Sequence, residues 1–337
     1  MKNFINPVPN LDAKTVLVTG GTGSFGRAFV KEVLDRFTPK KLIIFSRDEL
    51  KQFDFKQSLD DREKKIVRFF IGDVRDLSRL TFAMRDVDIV VHAAAMKQVE
   101  AAEYNPFECI KTNIMGAQNV VDAAIHCNVK KVVALSTDKA ASPINLYGAS
   151  KLASDKIFVA GNNVTGSSDT RFSVVRYGNV IGSRGSVVPF FEKLIQSGAK
   201  ELPITHPEMT RFWITLSQGV NFVLSSISLM VGGEIFVPKL PSMRVVDVAR
   251  ALAPEIDHVL VGIRPGEKLH EIMINRDDAR LTLDYNDRYI IQPDFAFWDR
   301  NASKYRDLKP VQDQFSYSSE TNVEWLTEQD FRLLRLG

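Results

Sequence analysis

A chain of 337 residues, 45% hydrophobic and 25% charged, can bury a large core and exceeds the usual size of one domain, so two lobes are expected. A net charge of +3, with Lys64-Lys65 and Lys130-Lys131 reading as solvated faces, argues against nucleic acid as a partner. Two cysteines without metal or disulfide spacing, no apolar run near ~18 residues and no secretory leader at 1–10 read as a cytoplasmic protein with no metal and no membrane association.

In chain order, the β-branched run Lys14–Thr19 reads as a buried strand. It enters Gly20-Gly21-Thr22-Gly23-Ser24-Phe25-Gly26 and then the helical Arg27–Arg36. Glycines at GxxGxxG spacing between a first strand and a first helix allow a tight turn and let backbone N–H groups approach a pyrophosphate. Thr19, Gly20, Gly23, Ser24, Phe25 and Gly26 are therefore candidate dinucleotide-binding residues. The second strand, Lys41–Phe45, ends in Ser46-Arg47-Asp48-Glu49. A carboxylate there would bind the ribose hydroxyl of NAD, whereas an arginine accommodates the 2′-phosphate of NADP. Arg47 comes first, so NADP is favoured over NAD, while Asp48 and Glu49 also suit the opening of a helix. The third strand, Ile66–Ile71, leads to Asp73 and Val74 at the expected adenine edge; Asp73 serves equally well as a cap for a helix from Leu77. Asp88–His92 is the fourth strand, with His92 read as packed rather than as a base. It is followed by Ala93-Ala94-Ala95-Met96-Lys97, where small residues let a cofactor lie on the backbone and Lys97 faces a ligand. Pro106–Cys127 reads as one long helix and Lys130–Ser136 as the next strand.

The stretch from Ser136 to Lys151 carries the chemistry. Asp138 and Lys139 fall just past a strand end, where open α/β sheets bind ligands, and Tyr147 and Lys151 share a helix face one turn apart. With Arg171–Tyr177 as a sixth strand, the alternation implies an α/β fold with a doubly wound parallel sheet. Residues 1–180 form the expected dinucleotide-binding domain, to which a helix near 215–230 and a strand near 234–237 return. Residues 181–337 are expected to be mainly a smaller substrate-binding lobe. Beyond about residue 275 the weak periodicity reads as a tail over that lobe or a neighbouring subunit.

The glycine loop with Tyr147-x-x-x-Lys151 resembles the extended short-chain dehydrogenase/reductases, a Rossmann-fold superfamily acting largely on nucleotide sugars. Leu135–Ala141, Asn145–Gly148, Val175–Val180, Met209–Trp213 and Ile263–Lys268 are similar to the inverting UDP-N-acetylglucosamine 4,6-dehydratases, which make the first intermediate toward pseudaminic acid. The likeness runs from about residue 12 to 275, and Gln98 departs from it where a histidine is expected. It implies UDP-N-acetylglucosamine as substrate, a homo-oligomer, and four catalytic residues. Tyr147 takes the 4-hydroxyl proton while Lys151 binds the nicotinamide ribose and lowers the phenol pKa. Asp138 is the acid for the departing C6 hydroxyl, and Lys139, where retaining relatives carry Glu, is the C5 base. Lys139 is then expected to have a depressed pKa, driven by Lys151 and the positive nicotinamide ring, and Asp138 a raised one. By the same resemblance Val180 contacts cofactor, Asn179 and Lys97 contact substrate, and Arg211 and Arg264 bind the diphosphate, with an interlobe salt bridge as the other reading of either arginine. Glu267 holds the uridine ribose or caps its helix. A 4-epimerase or a retaining dehydratase stays within the superfamily, but an epimerase has no use for Asp138-Lys139; a non-catalytic NADP sensor has no need of Tyr147 and Lys151.

Overall fold

The computed structural model describes residues 2–295 and 304–336. Six parallel strands carry the fold: β1 (Thr15–Thr19), β2 (Lys41–Ser46), β3 (Val67–Ile71), β4 (Ile89–His92), β5 (Lys131–Thr137) and β6 (Arg171–Tyr177). They lie in the order β6-β5-β4-β1-β2-β3. Thr19 is in register with Phe45 on one side and His92 on the other, so the order reverses at the carboxyl ends of β1 and β4. That is where a doubly wound sheet opens a crevice. Every residue of β1 and β4 is buried, the pattern of strands covered on both faces.

The helix α1 (Ser24–Arg36) covers one face together with the helix Leu216–Leu229. The strand Ile235–Pro238 pairs parallel with β6, so this part of the chain belongs to the large sheet. The segment expected to be one helix over 106–127 is interrupted by a π-turn at Lys111–Met115 between Pro106–Ile110 and Gly116–His126. The turn carries Asn113, whose side chain accepts from Met96 N at 2.8 Å and donates to Met96 O at 3.0 Å and Ser150 Oγ at 2.9 Å. It thereby ties the loop after β4 to the helix Leu146–Gly161, the functional use that π-turns often have.

The tail divides in two, which corrects the expectation that it lies only over the small lobe or a neighbour. Thr282–Tyr285 and Arg288–Ile291 form an antiparallel hairpin that extends the large sheet beside Ile235–Pro238. Its alternation is masked because Arg288 points inward: it is fully buried, donates to Ser225 Oγ at 2.8 Å and lies 4.5 Å over the Phe222 ring. The last helix, Glu328–Leu336, does sit on the small lobe, where Phe331 meets Trp213 edge-on at 5.4 Å. That lobe is built on Thr210–Ile214, flanked by Ser242–Arg244 and Asn179–Val180, with its own apolar cluster around Phe191, Leu202 and Met209. No helix among the described residues is long and apolar enough to cross a membrane.

Candidate active site

A cleft of about 540 Å³ runs along the carboxyl ends of the strands, from the glycine loop past Arg47 and Asp73 to Tyr147 and Asn179. Gly20 has φ +66°, and a Cβ there would lie 2.9 Å from the Ala93 backbone; one on Gly26 would lie 2.5 Å from Gly21 Cα. The loop is therefore pressed against both β4 and the start of α1. The N-cap of α1 is Gly23, which offers no side chain, so the first-turn N–H groups are left to an anion. These features fit a dinucleotide pyrophosphate. Ser24, Phe25, Val74 and Ala93 also line the cleft. Thr19 instead supports it from behind: fully buried, it bonds His92 Nδ1 at 2.8 Å and accepts from Ala93 N at 3.2 Å. Burial holds His92 down to about 3, a neutral packed residue.

At the adenine end, Asp48 caps the helix Glu49–Gln57, accepting from Lys51 N at 2.9 Å. Asp76, not Asp73, caps the helix starting at Leu77. Asp73 is left facing the cleft with Arg75 at 2.7 Å and Arg47 at 3.6 Å. Although burial raises its pKa, the Arg75 hydrogen bonds outweigh this and hold Asp73 lowered.

At the other end, β5 runs into a single 3₁₀ turn, Asp138–Ala140, and Asn145 caps the helix Leu146–Gly161 by accepting from Gly148 N at 2.7 Å. A Cβ on Gly148 would lie 2.3 Å from Lys139 O, so the helix start packs flush against the Asp138-Lys139 turn. Asp138, Lys139, Tyr147 and Lys151 thus converge on one wall. Lys139 Nζ lies 3.1 Å from Asp138 Oδ1 and 2.8 Å from Glu271 Oε1, and both carboxylates are 1% exposed. Lys151 Nζ donates to Leu135 O at 2.7 Å.

Charge and burial set the protonation states. Burial, helped by Glu271, pushes Asp138 up, toward its acid form. Burial alone would lower Lys139, but the fields of Asp138 and Glu271 outweigh it and hold Lys139 well above its ordinary value. This corrects the expected depression: Lys151 points to the Leu135 carbonyl, and the groups nearest Nζ are anions. Glu271 stays lowered because Lys139 and Arg211 overcome its burial. Tyr147 is pushed up to about 12 by burial, against the pull of Lys139 and a Thr137 hydrogen bond. Burial also lowers Lys151.

The expected substrate ligands separate. Lys97, its Nζ 3.0 Å from Arg184 O, and Asn179 with Val180 line the cleft. Arg211 does not: it is 5% exposed and donates to Thr210 O, Leu269 O and Lys268 O at 2.7–3.0 Å, with Glu267 at 3.5 Å and Glu271 at 3.7 Å. The salt-bridge reading describes it. Arg264 is exposed on the loop outside, and its N–H donates to Glu267 Oε2 at 3.4 Å. The sequence alone singles out neither Thr137 nor Glu271 as a site residue. Thr137 precedes the acid directly and was readable as a polar strand end, whereas Glu271 meets Lys139 only through the tertiary fold.

Comparison with known proteins follows the same lines. The polysaccharide biosynthesis protein family matches residues 16–293. An inverting UDP-N-acetylglucosamine 4,6-dehydratase of Campylobacter jejuni is 59% identical over 94% of this chain and 96% of its own length. A UDP-glucose 4-epimerase of Rickettsia canadensis is 43% identical over 87% of this chain and 86% of its own. Among solved structures, Pen from Bacillus thuringiensis superposes with a TM-score of 0.87 at 35% identity, covering 97% of this chain and 99% of that one. The dTDP-glucose 4,6-dehydratase DesIV of Streptomyces venezuelae shares the fold, with a TM-score of 0.67 at 24% identity over 76% of this chain and 86% of that one. The chain belongs to the polysaccharide biosynthesis protein family of extended short-chain dehydrogenase/reductases, alongside the inverting UDP-N-acetylglucosamine 4,6-dehydratases.

Proposed function

We propose that this protein dehydrates UDP-N-acetylglucosamine at C4–C6 with inversion at C5. The observation that carries the reading is Lys139 beside Asp138 at the end of β5, on the same wall of the cleft as Tyr147. An epimerase needs only the Tyr147–Lys151 pair, and the buried acid with its amine would have no role. The chain's 59% identity to a dehydratase of that specificity supports the substrate.

A bound nicotinamide dinucleotide supplies the acceptor that oxidises C4 and later returns the hydride to C6. Tyr147 takes the 4-hydroxyl proton, and its high pKa at rest means that nearby positive charge must support the phenolate as the proton leaves. Oxidation at C4 acidifies the C5 proton, which Lys139 removes while protonated Asp138 releases the C6 hydroxyl as water. Lys139 must first shed its own proton; Asp138 Oδ1 and Glu271 Oε1 both lie within hydrogen-bond reach to receive it. Reprotonation of C5 from the opposite face inverts that centre. Lys97 and Asn179 are the substrate contacts the cleft supports, with Arg211 and Glu267 bracing the segment beside it and Arg264 on its exposed loop.

The favoured cofactor is NADP, because Asp48 is used as a cap and Arg47 remains 60% exposed at the ribose end. Arg47→Ala is expected to weaken NADP binding about 10- to 100-fold and leave NAD within a few-fold, since a charge-assisted bond to phosphate contributes about 1.5–3 kcal/mol. Titration of the purified protein with each dinucleotide checks this; equal losses for both would remove the NADP assignment. Exposed Tyr104 and Phe107, 88% and 72% accessible on consecutive helices, support a homo-oligomer, and a nucleotide-sugar substrate supports a cytoplasmic location.

The decisive experiment is proton NMR of UDP-N-acetylglucosamine with the protein in D₂O. The expected product is a 6-deoxy-4-keto sugar of L configuration carrying deuterium at C5. A D-configured product would make the enzyme a retaining dehydratase, and a C4 epimer alone would make it an epimerase.

A further inference from the structure

Glu271 lies outside every motif that pointed to the site, yet it is buried and reaches Lys139 from the other side of the cleft wall. Asp138 adjoins Lys139 in the chain and rides on the same turn, so by itself it does little to fix a long lysine stem. Glu271 supplies the independent anchor. Its own place is set twice over. Arg211 holds the backbone before it through Lys268 O and Leu269 O, and places Nε 3.7 Å from Oε1. Ser319, just past the strand Tyr317–Ser318, donates its N–H to Glu271 O at 2.8 Å and accepts from Glu271 N at 2.9 Å through Oγ. The same Oγ bonds Thr210 Oγ1 at 2.7 Å. Glu271 Oε2 is buried with no hydrogen-bond partner, as is Asp138 Oδ2. Buried carboxylate oxygens are rarely left so, and here the arrangement holds Oε1 on Lys139 at the cost of Oε2.

We propose that Glu271 is a positioning residue of the dehydration site: it fixes the Lys139 amine and biases its charge. The C-terminal segment through Ser319, which latches Glu271 in place, then belongs to the working assembly. This rests on Lys139 being the C5 base. The titratable and charged groups facing Nζ are Asp138 on its own turn, Tyr147 on the helix behind, Arg211 on Thr210–Ile214, and Lys268 and Glu271 on the segment after it.

Glu271→Gln keeps the shape and removes the charge. The ascending limb of the kcat–pH profile, where Lys139 becomes free amine, is expected to move about one unit to lower pH, because the carboxylate nearest Nζ is gone. Deuterium entry at C5 should slow about tenfold through lost alignment, while single-turnover oxidation at C4 stays within about twofold. Glu271→Asp should restore the limb but not the full rate, and Ser319→Ala should slow C5 exchange with the limb unmoved. A limb that stays in place in folded Glu271→Gln, or oxidation and exchange falling in equal proportion, would overturn the proposal. A wild-type protein that never dehydrates UDP-N-acetylglucosamine would overturn the functional reading beneath it instead.

Discussion

Tyr147→Phe is expected to lower kcat for dehydration by about 10²–10⁴-fold while leaving dinucleotide affinity within a few-fold. The phenol is better placed than either lysine on the wall to take the 4-hydroxyl proton: Lys151 Nζ is directed at Leu135 O, and Lys139 is held between two carboxylates. Removing one oxygen from a side chain that is 9% exposed leaves its ring packing on Ala102 and Cys109 intact, so the loss reports chemistry rather than unfolding. The arrest should come at the first step. In a single turnover no reduced nicotinamide absorbance should appear and no deuterium should enter C5, because elimination waits on the 4-ketone. A variant that still exchanges C5 deuterium at the wild-type rate would show that C4 oxidation does not depend on Tyr147. The pH profile adds a sign. With the phenol pushed up to about 12, single-turnover oxidation at C4 by the wild type should rise with pH through the neutral range as proton removal becomes easier, and the variant should lose that dependence.

The legible part of the molecule is the part whose cause is local. β1, β2 and β4 stood out because strands buried on both faces are written as continuous apolar runs, and the glycine loop because only glycine fits Gly20 against Ala93 and Gly26 against Gly21. Asp138, Lys139, Tyr147 and Lys151 lie in one turn and one helix, so their convergence followed from spacing. What escaped is tertiary. The hairpin of the tail was hidden by an inward arginine, Arg288, whose charge suggests surface. The resemblance assigns Arg211 to the diphosphate, with a salt bridge as the other reading, and its donors face carbonyls that no spacing rule places. The state of Lys139 was misjudged for the same reason: its electrostatic neighbour Glu271 is distant in the chain, and a pKa is decided by neighbours in space.

Lys139→Met separates the two halves of the reaction. Elimination should fall about 10²–10⁴-fold, as expected when a positioned base is removed, whereas C4 oxidation by Tyr147 should survive and reduced nicotinamide should accumulate. Methionine keeps most of the stem's volume, so the variant also measures what the charge does for the fold. Two buried carboxyls lose their shared cation, and Glu271 retains Arg211 at 3.7 Å and the weaker field of Lys268. The cost is expected to be about 1–3 kcal/mol, toward the lower end at acid pH. The sign follows from the directions of the shifts. Asp138 is already raised, so its contribution to stability is complete below its unfolded pKa and fades as pH climbs through the folded one; removing a cation that lowers it extends that penalty. Glu271 is lowered in the wild type and stabilises above its unfolded pKa, a contribution that shrinks in the variant. Both effects deepen with rising pH. Urea unfolding of the two proteins should therefore diverge more at about pH 8 than at about pH 5. A gap that narrows as pH rises would mean that Lys139 is not the counter-ion of this pair, and its place as the base would lose its electrostatic support.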